Sequence, residues 1–205
     1  MDACGEARGE AEGRVEGEVT MAVQIAGMWR AAVFVDYDNL KLRGSWFLSP
    51  GEILEAIHRD LEGKAVVQFG NVYMGMGRPD DPTLIDRGKI YQAYSRGMTP
   101  VTTPSFRGSG AEAVKDLTDS SALVDITESI FVHPEIDAYV VCTGDKDLNK
   151  AVRKLREHGK AVRVYYRREC ASILAAEIDW LKGDGFSSVI DLEDMLQRLP
   201  GMESA

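Results

Sequence analysis

The chain alternates short, nearly continuous apolar runs with segments whose apolar residues recur every three or four positions. The first run, Ala31-Ala32-Val33-Phe34-Val35, leads straight into Asp36. A run without polar alternation predicts a parallel strand buried on both faces. Ser49-Pro50-Gly51-Glu52 then supplies a cap, a proline and an early acid, and Ile53, Leu54, Ile57 and Leu61 follow as one helical stripe. The same signals predict a strand over 65–75, a helix near 84–96 stopped by Gly97, and a short strand over 98–103. Gly75 to Pro82 and Pro104 to Gly110 read as mobile loops, and the second leads into a helix over about 111–131. Beyond it the pattern predicts a strand at 137–143, a helix at 146–158, a strand at 160–166 and a helix near 171–181. A last strand at 187–190 and a terminal helix at 192–199 complete the series. Strand–helix alternation of this kind implies a three-layer α/β/α sandwich around a mainly parallel sheet.

Two strand ends carry the chemistry. One is Asp36-Tyr37-Asp38-Asn39, and the other is Thr143-Gly144-Asp145-Lys146-Asp147, after the apolar run Ala138 to Cys142. Open α/β sheets bind ligands beyond the carboxyl ends of their strands. Carboxylates gathered there are costly unless a cation or a proton shares them. Asp145 and Asp147 also suit helix capping, and Asn39 an Asx-turn, so each has a purely structural alternative. Asp38 should point away from Asp36, because strand neighbours alternate faces. In the helix after the second loop, Asp119 is in phase with Leu123, Ile126 and Ile130, which extends the core stripe with an acid that needs a partner.

Composition alters this picture in two ways. The 205 residues suffice for one domain and a tail, with residues 1–28 as an acidic tail, disordered over about the first 20, and residues 29–200 as the domain. No apolar run approaches the ~18 residues of a membrane span. Cys4, Cys142 and Cys170 form no CxxC pair, and Cys142 sits in a core strand, which points to free thiols in a cytoplasmic setting. The net charge of −9 at first argues against a nucleic-acid partner. Residues 1–20 hold −4 of it, however, and Asp36, Asp38, Asp119, Asp145 and Asp147 match the −5 that remains.

Phe34-Val35-Asp36-Tyr37-Asp38-Asn39-Leu40, Asp119 to Asp125, and Thr143-Gly144-Asp145-Lys146-Asp147-Leu148 together resemble the NYN family of PIN-like nucleases. The resemblance covers about residues 30–195, with Leu148 where the family usually has Phe. It implies a metal-dependent ribonuclease acting on single-stranded RNA. Asp36, Asp119, Asp145 and Asp147 would be the catalytic and metal-binding residues, with Mg²⁺ or Mn²⁺ as the ion. Hard cations of this kind prefer oxygen ligands. Asn39, Asp125 and Asp38 would stand behind these ligands, and Lys115, Arg107 and Arg43 would contact substrate. Arg167 and Arg168 are further loop cations that could border the crevice.

Two other functions fit part of the pattern. Asp36-x-Asp38 and Gly144-Asp145 also resemble haloacid-dehalogenase phosphatases, with Asp36 as nucleophile, Asp38 as acid/base and Lys115 as the required lysine. That comparison leaves Asp119 unexplained and puts Asn39 where those enzymes carry Thr or Val. The other is a non-catalytic RNA-binding or regulatory module on the same fold.

Overall fold

The computed structural model describes residues 27–40, 48–76, 87–107, 114–167 and 184–198. Residues 1–26 of the tail, Cys4 among them, as well as Arg43, Arg168, Cys170 and the helix expected near 171–181, lie outside the described residues.

In chain order the elements are β1 (Trp29–Asp36), α1 (Tyr37–Leu40), α2 (Pro50–Leu61), β2 (Ala65–Met76), α3 (Arg87–Ser95), β3 (Thr99–Arg107), β4 (Val114–Asp116), α4 (Thr118–Val132), β5 (Ala138–Cys142), α5 (Asn149–Glu157), β6 (Ala161–Tyr166), β7 (Ser188–Asp191) and α6 (Leu192–Arg198). A single 3₁₀ turn, Lys146–Leu148, precedes α5. The sheet runs β4-β3-β2-β1-β5-β6-β7. Six strands are parallel, and β4 alone is antiparallel, against β3. The chain moves outward from β1 to β3, then crosses back to β5 on the other side of β1. The strand order therefore reverses between β1 and β5, and right-handed crossovers place the helices of the two halves on opposite faces.

Two cores record this division. Ala31, Val33 and Val35 face α2, α3 and α6, where Ile53, Leu54, Ile57, Ala93 and Leu196 pack. Ala32 and Phe34 face α4 and α5, against Ile126, Ile130, Val152 and Leu155. The apolar run of β1 is thus buried on both sides, as expected. The capping box of α2 is present in full. Ser49 Oγ accepts from the Glu52 amide, and Glu52 accepts from the Ser49 amide.

Two sequence expectations fail together around residue 110. Residues 104–107 continue β3 rather than forming a loop, and 114–116 form β4 rather than the start of a helix. Ser105, Phe106 and Arg107 pair with Asp116, Lys115 and Val114. Pairing of backbone groups along the open edge of β3 holds 114–116 as a strand where the sequence predicted helix. The helix begins at Thr118, so Lys115 lies on a strand and not on the helix that carries Asp119.

Gly70 pairs with Val33 of β1 and sits under Met98. A methyl group there would stand 2.9 Å from the Val33 carbonyl oxygen and would collide with Met98 Sδ. Gly70→Ala should therefore destabilise the domain by about 1–3 kcal/mol, the usual cost of overpacking. A melting curve checks this, and an unchanged midpoint would mean that the strands separate there at no cost.

Candidate active site

Strand alternation builds the site. On β1, Ala32, Phe34 and Asp36 project to the α4/α5 face, and on β5 Tyr139, Val141 and Thr143 do the same. At the carboxyl edge each of these rows changes from apolar to polar. Asp36 and Thr143 then meet over the point where the strand order reverses, and Thr143 Oγ1 donates to Asp36 Oδ2 at 2.8 Å.

Asn39 closes the arrangement. The chain turns into α1 directly after Asp36, which carries the Asn39 side chain back over the strand end. Its Nδ2 donates to Asp36 Oδ2 and to Asp119 Oδ1, at 2.7 Å in each case. One amide group therefore ties two carboxylates together, the second of them 80 residues along the chain from Asn39. Their acceptor oxygens cannot be further apart than the two bonds laid end to end. The Asn39 backbone amide also bonds the Asp36 carboxylate, so the turn after the strand is closed by the Asp36 side chain while the Asn39 side chain orients the two acids.

Asp36 is only 1% exposed. Its Oδ2 is well supplied with donors, but Oδ1 is buried and has no hydrogen-bond partner. Burial raises the carboxyl to about 6, against the donors on Asn39 and Thr143 that pull it down, and the charge of Asp38 adds to the rise. Burial and the Asp36 charge also push the Cys142 thiol up, which keeps it protonated and out of the chemistry.

The other predicted residues fall into place around this pair. Thr143 Oγ1 accepts from the Asp145 amide at 2.9 Å, and Asp145 Oδ1 accepts from the Asp147 amide at 2.8 Å. Asp145 thus caps the 3₁₀ turn with one oxygen, and that turn leaves its second oxygen unused. Asp147 is exposed. Asp38 accepts the Gly75 amide and so fastens the end of β2 beside β1. Asp125 does not bond Asp36 or Asp119. It accepts from the Tyr73 hydroxyl at 2.7 Å and from Asn71 Nδ2 at 3.4 Å, which anchors α4 to β2. The side chains of Lys115 and Arg107 lie outside the described residues. Arg167 does not border the crevice as a surface cation. It is 2% exposed and donates to Glu193 and to the Leu40 carbonyl. Thr143 and Tyr73 are the positioning groups that the sequence alone did not single out. A hydroxyl at the polar end of an inward-facing row was the available signal.

Among the described residues, no three His, Cys, Asp or Glu side chains converge into a closed ligand set. An open set of one or two carboxylates plus water and substrate phosphate is the usual arrangement for Mg²⁺. The orphaned Asp36 Oδ1 beside Asp119 suits such a site. A cavity of about 660 Å³ at the other edge of the sheet is lined by Asp60, Lys64 and Arg163 among others. Its central groups are paired with one another: Asp60 accepts from Lys64 at 2.8 Å and from Arg163 at 2.6 Å.

The NYN domain model matches residues 30–179. The crystal structure of a Vibrio parahaemolyticus protein of unknown function has a similar fold, with a TM-score of 0.61 at 20% identity, over 84% of this chain and 98% of that one. No curated protein matches the chain in sequence.

The buried carboxyl makes a pH prediction. A carboxyl raised in the native state holds its proton more tightly there than in the unfolded chain. Its stabilising contribution is full below the ordinary value of 3.8 and is lost as pH rises through about 6. With chelator present, the wild type should melt higher at about pH 5 than at about pH 7.5. Asp36→Asn should flatten that dependence and raise stability at the higher pH by up to roughly 3 kcal/mol. An unchanged slope in the variant would assign the pH dependence to another group.

Proposed function

The chain belongs to the NYN domain family of PIN-like nucleases, and on that premise we propose that it hydrolyses phosphodiester bonds of single-stranded RNA with the help of a divalent cation. The observation that supports this reading best is the buried, unpartnered Oδ1 of Asp36, held beside Asp119 by Asn39. In this proposal Asp36, Asp119, Asp145 and Asp147 hold Mg²⁺ or Mn²⁺. When bound, such an ion lowers the pKa of a water and stabilises charge on phosphate.

The remaining work falls to the chain itself. Asn39 fixes the two inner carboxylates against their mutual repulsion by donating to both. Thr143 holds Asp36 with its hydroxyl proton and the Asp145 backbone with its oxygen, so one residue sets the spacing of the two strand ends. Burial favours a proton on Asp36 below about pH 6, so in that range its role as a ligand would be coupled to proton release. Arg43, Arg107 and Lys115 remain proposed phosphate contacts.

The phosphatase alternative needs Asp38 as a free acid/base beside Asp36, but Asp38 accepts the Gly75 amide. Nothing in that alternative uses the Asp119–Asn39 bond.

The test is cleavage of an end-labelled single-stranded RNA with Mn²⁺. Asp36→Asn, Asp119→Asn and Asp145→Asn should each abolish cleavage. Asn39→Ala should slow it by about 10–100-fold, the usual effect of removing a group that orients metal ligands. Asp125→Asn should have a smaller effect. Absence of cleavage by a wild type that binds RNA would leave a binding module, and full activity of Asp119→Asn would overturn the assignment of α4.

A further inference from the structure

Charge is unevenly distributed along this acidic chain. Residues 87–111 contain Arg87, Lys89, Arg96 and Arg107 and no acid at all, although the whole chain carries −9. The stretch covers α3 and β3. α3 buries Ala93 and packs Ile90 against the core, and Gln92 accepts from the Gly51 amide of α2. Its other face is open, with Tyr91 72% and Tyr94 62% exposed.

Two large aromatic rings left in water three residues apart need a reason. Residues at i and i+3 are neighbours on a helix surface, ~5–6 Å apart at Cβ. Arg87 lies four residues before Tyr91 on the same side and is also exposed. The row Arg87, Tyr91, Tyr94 therefore presents a cation and two successive rings over about 10 Å of helix. Its starting end lies toward the site, because the Lys89 ammonium stands 5.5 Å over the ring of Tyr37, the residue after Asp36.

We infer that this outer face of α3 is a track for single-stranded nucleic acid, with bases stacking on Tyr91 and Tyr94 and the backbone held by Arg87. The inference rests on the nuclease reading above and extends it, since it says by which side of the domain the strand reaches the acidic edge. Stacking on aromatic rings tolerates any base, so the track supplies affinity without sequence preference. Arg87 gives this row a cation with no acid within α3 itself, while Arg96, just past the far end of α3, is paired with Glu55 of α2. A row with a cation and two rings suits a polyanion, whereas the acidic strand edge alone would repel one.

The test reads binding in EDTA, where hydrolysis plays no part. The probe is a fluorescein-labelled oligouridylate of about 12 nucleotides, within the usual site size of such tracks. Tyr91→Ala combined with Tyr94→Ala should weaken binding by about tenfold or more, and the corresponding double Phe variant should stay within about twofold of wild type. Arg87→Ala should weaken binding several-fold and lower its salt slope by about one. A 5-iodouridine oligomer crosslinked to the wild type should label the tryptic peptide Ile90–Arg96, which holds both rings and needs no variant to fold.

Wild-type affinity in the double Ala variant, or crosslinks that avoid this peptide, would overturn the track and leave the nuclease reading intact. A wild type that binds the oligomer through these rings but does not cleave RNA with Mn²⁺ would sustain the track while hydrolysis fell. Unchanged RNA binding together with a shift of the double Ala variant from dimer to monomer in sedimentation would give the face to a second copy of the chain.

Discussion

A single side-chain amide holds the centre of this protein together. Asn39 Nδ2 donates to Asp36 and to Asp119, and so joins the end of the middle strand to the first turn of α4. Without a donor between them, two carboxylates this close would repel and one would take up a proton. The amide satisfies one oxygen of each acid and leaves Asp36 Oδ1 buried and unsatisfied. A buried acceptor without a donor is costly and rarely persists without a use. On the proposed reading, the domain keeps an acid poised for a cation at the cost of some stability in the cation's absence.

The rest of the fold supports that link. Asp125 bonds Tyr73 and so ties α4 to β2, about 1.7 turns beyond Asp119. Thr143 couples Asp36 to the second acidic turn. Arg167, fully enclosed, donates to the Leu40 carbonyl at the end of α1 and to Glu193 on α6, which pins the helix that carries Asn39. None of these groups needs to touch substrate. Each removes a freedom from a proposed site residue, and a site loose by even about 1 Å loses much of its effect.

Much of this was legible in the sequence because it follows from local pattern. The run from Ala31 to Val35 is apolar on both faces of the strand, and only a central parallel strand has a use for that. Asp36 and Thr143 fall at the polar ends of such runs. What the sequence concealed depended on contacts between distant segments. Val114-Lys115-Asp116 pairs with the edge of β3, which no local periodicity announces, and this moved the start of α4 by about two turns from where propensity placed it. Asn39 could be recognised as a turn residue, but its second bond, to Asp119, exists only in the folded chain. Asp145 proved to be a cap as well as a candidate ligand, so the structural and functional alternatives were not exclusive. The aromatic face of α3 had a sequence signal, an acid-free stretch with two tyrosines at helical spacing, that was easy to pass over beside the acidic motifs.

The central claim is that Asp36 and its neighbours form a cation site. Titration calorimetry with Mn²⁺ tests it most directly, on wild type, Asp36→Asn and Asp145→Asn, in two buffers of different ionisation enthalpy. The account predicts saturable binding by wild type, a buffer-dependent heat from the proton displaced on Asp36 below about pH 6.5, and loss of binding in both variants. Equal binding by wild type and Asp36→Asn, with no proton released, would contradict it.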